Sequence, residues 1–129
     1  MVNTSAAQCP SCKLLQWDLN LLQGEAYNNR IVASWPTSFD IVLVSDVLYY
    51  LSWAGWPPIL SWSGLLPDRF TKEHKRRWWK RLTALARKEV IFSDHQMNPA
   101  VVAFLQEMGA TRHVFYGIWT ARGTANSSS

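Results

Sequence analysis

The apolar positions of this chain fall into short runs separated by polar, proline- and glycine-bearing stretches. Phe39-Asp40-Ile41-Val42-Leu43-Val44 is almost continuous in β-branched and aliphatic residues and does not alternate. It is too short for a buried helix, so it predicts a strand covered on both faces, as in a parallel sheet. Glu89-Val90-Ile91-Phe92-Ser93 repeats the pattern, and the two runs end at aspartates, Ser45-Asp46 and Asp94. Upstream, Lys13-Leu14-Leu15-Gln16-Trp17 is short and apolar enough for a further strand. Asp18 to Ser38 is mixed and polar and reads as a loop with a helical turn around Leu21. Val47 to Tyr50 turns into a helix or loop. Trp53 to Pro67 holds Gly55, Pro57, Pro58, Gly64 and Pro67, and no regular helix is expected there.

Helical rhythm returns at Phe70 to Lys88. Trp78, Leu82 and Leu85 fall on one face at i, i+4, i+7, basic residues surround them, and Asp68 or Thr71 can cap the start. A second helix carries clear punctuation: Asn98 as cap, Pro99 at the first helical position, and Gly109 just past the end, with Val101, Val102, Phe104, Leu105 and Met108 as its apolar face. Arg112 to Thr120 reads as one extended strand. Residues 1–12 and 123–129 read as loose ends, with no internal repeat between them.

Strands alternating with helices predict an α/β layered sheet in a single domain spanning 1–129. In such open sheets ligands bind outside the carboxyl ends of the strands, which is where Asp46 and Asp94 stand. A length of 129 residues allows one small domain. With 48% hydrophobic and 17% charged residues the chain has a globular balance. Eight tryptophans supply large areas for a core or an interface. No apolar run approaches the roughly 20 residues of a membrane span, and Met1 to Ala7 has no secretion-signal pattern. An intracellular protein, cytoplasmic or nuclear, is expected.

The net charge of +4 is concentrated. Lys72, Lys75, Arg76, Arg77, Lys80, Arg81, Arg87 and Lys88 lie in one stretch, either a solvated helix face or a patch for nucleic acid or an acidic protein. Cys9-Pro-Ser-Cys12 offers one cysteine pair where structural zinc wants four ligands, so no metal is expected.

The run Phe39 to Tyr50 resembles the fourth strand of the methyltransferase-like protein-lysine methyltransferases, seven-strand enzymes that use S-adenosylmethionine. Their Asp-x-x-Tyr motif is matched here by Asp46-Val47-Leu48-Tyr49. Leu15-Gln16-Trp17 resembles the family's Leu-x-Trp stretch, Val90 to Asp94 its fifth strand, and Pro99 to Met108 with His113 to Trp119 its next helix–strand pair. The resemblance covers roughly residues 13–119. It implies a partial Rossmann-like seven-strand methyltransferase sheet, the region of strands 4 to 7. The family's first strand, its Gly-x-Gly-x-Gly loop and the ribose-binding acid after its second strand find no match in these residues.

By this resemblance the cofactor is S-adenosylmethionine, with Trp17, Asp18, Ser45 and Asp46 as cofactor-binding residues. Asp46 and Tyr49 are the catalytic pair, and Tyr50, Asp94 and His95 meet a protein substrate. The chemistry is consistent with these types. An amine nucleophile must be neutral, aligned and shielded from water. A carboxylate orients the ammonium, and an aromatic ring holds the side chain by cation–π contact. Taken alone, Asp46 also suits the cap of a following helix, and Tyr49 and Trp17 suit core aromatics. Two further readings stand beside the enzyme. One is a non-catalytic methyltransferase remnant that binds a protein or RNA partner through the basic, tryptophan-bearing helix. The other is a fragment with an exposed, aggregation-prone strand edge.

Overall fold

Two parallel strands organise the chain. In the computed structural model, which describes residues 18–23, 38–93, 98–113 and 117–125, β1 is Phe39–Ser45 and β2 is Ala86–Ser93. They pair in parallel, with Val42 beside Val90, Leu43 beside Ile91 and Val44 beside Phe92. A parallel pair needs a long crossover. Here it contains a 3₁₀ turn, Leu48–Tyr50, a one-turn helix α1, Pro58–Ser61, and the long helix α2, Asp68–Thr83. After β2 come helix α3, Pro99–Glu107, and the strands β3, Thr111–Arg112, and β4, Ile118–Arg122. The sheet order is β1-β2-β4-β3, and β4 runs antiparallel to both its neighbours. The result is an α/β fold on a mixed four-strand sheet.

The core lies on one face of this sheet. Cross-strand neighbours Val44, Phe92 and Trp119, with Val90 one step along, are buried against α2 and α3. Trp79 of α2 stacks on Phe92 with ring centres 5.3 Å apart and planes 10° apart. Trp53, Trp62 and Trp78 close around Phe104 of α3 at 5.5 to 6.2 Å. Such rings bury large apolar areas and gain further from edge and stacked contacts. Trp62 Nε1 donates to Leu51 O and Trp78 Nε1 to Leu19 O. Among the described residues, Trp53 Nε1 alone is a buried side-chain donor without an acceptor.

Several expectations need correction. The long helix ends at Thr83, not Lys88, because the chain beyond it is drawn beside β1. Phe39 N–H donates to Leu85 O, and Arg87 bonds Asp40 Oδ1 and Ser38 Oγ, so Ala86 to Lys88 are strand. The α2 cap is Pro67 and makes no side-chain bond; Asp68 is the first helical residue and Thr71 is buried. A helical turn does survive in the tryptophan-rich insertion, because Pro58 sits at the start of α1, where its missing N–H costs nothing. The single strand expected over 112–120 is a hairpin, turned near Gly117 at φ 59° and closed by His113 N–H to Ile118 O.

The strand expected to be covered on both faces is half open. Ile41 is 51% exposed and Leu43 65%. Residues 123–125 are tied down, not loose: Gly123, Thr124 and Ala125 donate to Lys88, Thr83 and Ala86 carbonyls at 2.9 Å each. Gly123 passes so close to the Ala86 carbonyl that a Cβ would collide with backbone. The expectations that held follow from local chemistry. Asn98 accepts from Ala100 N–H at 2.9 Å, Pro99 opens α3, and Gly109, at φ 84°, follows its end. The helical turn near Leu21 is a 3₁₀ turn, Leu19–Gln23. The strand expected at 13–17, and the loop residues 24–37, lie outside the described residues.

Candidate functional site

The carboxyl end of β1 turns sharply into the 3₁₀ turn. Asp46 makes the turn with φ 54°, a left-handed conformation that a non-glycine residue rarely holds. Its backbone N–H donates to Ser93 O at 2.7 Å, which extends the parallel ladder one residue past β1. This bond holds the unusual conformation, and Asp tolerates it better than most residues. Such backbone outliers cluster where a side chain must be aimed. The cap position of the 3₁₀ turn is Val47, one residue after Asp46, and the Val47 side chain makes no cap bond.

Ser45, Asp46, Tyr49 and Tyr50 therefore share one continuous turn, and all four are solvent-facing. Leu48, between them, is buried and anchors the turn to the core. Tyr49 and Tyr50 meet edge to face, with ring centres 6.3 Å apart. Tyr50 is 70% exposed and Tyr49 36%. Neither is a core aromatic.

Asp18 belongs to a second segment that the fold draws towards this loop. Asp18 Oδ1 accepts from Asn20 N–H at 2.9 Å and so starts the 3₁₀ turn Leu19–Gln23. Asn20 Oδ1 accepts from Ser52 N–H at 2.9 Å, and Gln23 Nε2 donates to Ser52 O. Arg77 of α2 donates to Gln23 O at 2.8 Å from the other side. Asn20, Gln23, Ser52, His74 and Arg77 line a shallow recess of about 490 Å³ beside this latch. Sequence reasoning passed over Asn20 and Gln23, whose only signal was polar spacing of three within a mixed segment.

A second recess of about 410 Å³ lies between the α1–α2 loop and α3, where Trp62, Leu66 and Phe104 meet Asp68, Lys75 and Glu107. Lys75 and Asp68 pair across it at 3.6 Å. One titration is displaced in the described structure: the Arg87 guanidinium, through its hydrogen bond and its charge, lowers the Asp40 carboxyl below the ordinary value. That pair sits at the amino end of β1, away from the Asp46 turn.

Trp17, Asp94 and His95, and the pair Cys9 and Cys12, lie outside the described residues. Among the described residues no group of three or more His, Cys, Asp or Glu is arranged to hold a metal ion, and no helix is long and apolar enough to cross a membrane. The basic stretch is now divided. Trp78 is fully buried and Trp79 stacks inward on Phe92, so neither ring stands beside the cations on the solvent side of α2. Compared with models of known families, with curated proteins and with solved structures, the chain matches none.

Proposed function

We propose that this chain is the substrate-side part of a seven-strand, Rossmann-like methyltransferase domain that uses S-adenosylmethionine, of the protein-lysine type. The observation that carries the reading is Asp46, held at φ 54° beyond the carboxyl end of a parallel strand. Open α/β sheets bind ligands at that end. The antiparallel β4 is compatible with it, since doubly wound sheets often combine parallel strands with an antiparallel one. The Asp-x-x-Tyr resemblance then gives the turn its chemistry.

The side chains fit the cofactor's charge. Asp18, Ser45 and Asp46 are exposed residues with side-chain oxygens, and the cofactor is a cation with amine donors that such acceptors would hold. Bound there, it supplies an electrophilic methyl group. The chain's own residues do the rest. Asp46 accepts from the substrate ammonium and orients it; Tyr49 lies against the aliphatic chain and the cationic head; Tyr50, more exposed, meets the flanking peptide. Proton loss from the ammonium to water leaves the neutral amine aligned. The glycine-rich cradle of the family is matched by no residue here, so turnover requires that another segment supply it.

Calorimetric titration with S-adenosylmethionine tests the reading. Saturable binding by the folded chain, weakened about tenfold or more in Asp46→Ala, is the expected result. No heat of binding from a folded chain, or equal affinity in the variant, would overturn the assignment of this turn to the cofactor.

A further inference from the structure

The solvent side of α2 carries a straight row of cations. Arg69, Lys72, Arg76 and Lys80 are all exposed and recur at i, i+3, i+7 and i+11. At 3.6 residues per turn they share an arc of about 80° and span about 16 Å. The other cations of the helix are engaged. Arg77 bonds Glu73 at 2.8 Å, and Lys75 pairs with Asp68. Among the described residues none of the four in the row meets a carboxylate; Arg69 lies over the Phe70 ring at 5.0 Å.

Much of this row works against its own helix, although Lys80 stands in the last turn, where positive charge is favoured. Arg69 and Lys72 stand in the first turns, where the helix dipole disfavours positive charge. Lys72, Arg76 and Lys80 are like charges at successive i, i+4 steps, an arrangement that destabilises a helix. Burial gives no reason for it, because all four residues are exposed. A partner's carboxylates would remove both penalties.

The surroundings select the kind of partner. Phe70, 53% exposed, flanks the row at its amino end, where Arg69 reaches over its ring, and Leu65, in the loop before the helix, is 80% exposed. A single-stranded nucleic acid would want a series of stacking rings along the cations; Phe70 stands at one end, and Trp78 and Trp79 are turned into the core. A protein helix with carboxylates at matching three- and four-residue spacing complements the row, and an apolar residue at one end could meet the flanking Phe70.

We propose that the Arg69–Lys72–Arg76–Lys80 face of α2, flanked by Phe70 at its amino end, is a docking surface for an acidic helix of a protein partner. This surface is independent of the Asp46 turn and of methyl transfer.

The test compares the chain with R69Q/K72Q/R76Q/K80Q, which keeps helix-forming side chains at exposed positions. The probe is a labelled synthetic helical peptide of about 20 residues with glutamates at i, i+3, i+7 and i+11 and leucines at one end, followed by anisotropy at about 0.15 M salt. The expected result is saturable binding that falls about tenfold or more in the variant and weakens in Phe70→Ser. The variant should also melt roughly 2–5 °C higher, because the self-repulsion is gone. Equal binding by chain and variant, or no binding by the chain, would overturn the proposal. So would tighter binding of a single-stranded RNA of the same net charge, which would assign the row to nucleic acid. A lower melting temperature in the variant would show that the cations support the fold and would remove the argument.

Discussion

The two faces of the sheet are made from the same kind of residue and meet different surroundings. On one face Val44, Val90, Phe92 and Trp119 are sealed beneath α2 and α3, with Phe92 and Val90 fully buried. On the other, Ile41 and Leu43 stand half exposed or more beside Glu89 and Ile91, one residue out of step. Because side chains alternate along a strand, neighbouring positions sample opposite environments. The stability of the described fold therefore rests on the inner face and its tryptophans. Apolar character alone does not separate Leu43 from Val44.

Paired substitutions at facing strands would break this comparison most strongly. Phe92→Ala removes the ring on which Trp79 stacks and should cost about 3–5 kcal/mol, a large share of the total stability of a small domain. Leu43→Ala, on the open face of the adjacent strand, should stay within about 0.5 kcal/mol. Urea unfolding of both variants checks the contrast; equal losses would mean that the outer face is as well packed as the inner. A smaller effect is expected where the chain's end closes on β2. Gly123→Ala drives a Cβ into the Ala86 backbone carbonyl, which cannot swing aside like a side chain. A loss of about 1–3 kcal/mol is expected from such overpacking, read as a lower urea midpoint, and an unchanged midpoint would show that the segment 123–125 is not held as described.

The smallest effect concerns the Asp40–Arg87 pair at the amino end of the sheet. Asp40 is largely exposed and its carboxyl is lowered by Arg87. A lowered carboxylate stabilises the fold above its ordinary range, and that contribution is lost as the pH falls through the folded-state value. Arg87→Gln should return the Asp40 titration towards the ordinary 3.8, as followed by nuclear magnetic resonance, and flatten this part of the acid limb of stability. An unmoved titration would deny the pairing. Solvent screening keeps the effect on stability small.

What the sequence made legible was local. Asn98, Pro99 and Gly109 each act within a few residues of their own position, and α3 begins and ends where they indicate. The apolar runs announced β1 and β2. What stayed hidden depends on partners distant in sequence. Arg87 and Lys88 look like the end of a basic helix until Asp40 and Phe39 arrive beside them. The hairpin of β3 and β4 was concealed by an unbroken apolar stretch with one glycine. β1 is parallel as its run predicted, but the exposure of Ile41 and Leu43 contradicts the expected cover on both faces, because cover is a property of neighbours and not of the strand. At the proposed site, Asp46 and Tyr49 stand out in the sequence as a motif, whereas the left-handed turn at Asp46 and the Asn20–Ser52 latch arise from contacts across the fold.

The most direct test of the functional account is amide chemical-shift mapping of the labelled chain during addition of S-adenosylmethionine. The account predicts saturable shifts at Asp18, Ser45, Asp46 and Tyr49, with the Arg69–Lys80 row unmoved. Shifts centred instead on the recess of Trp62 and Phe104, or no shifts from a folded chain, would contradict it.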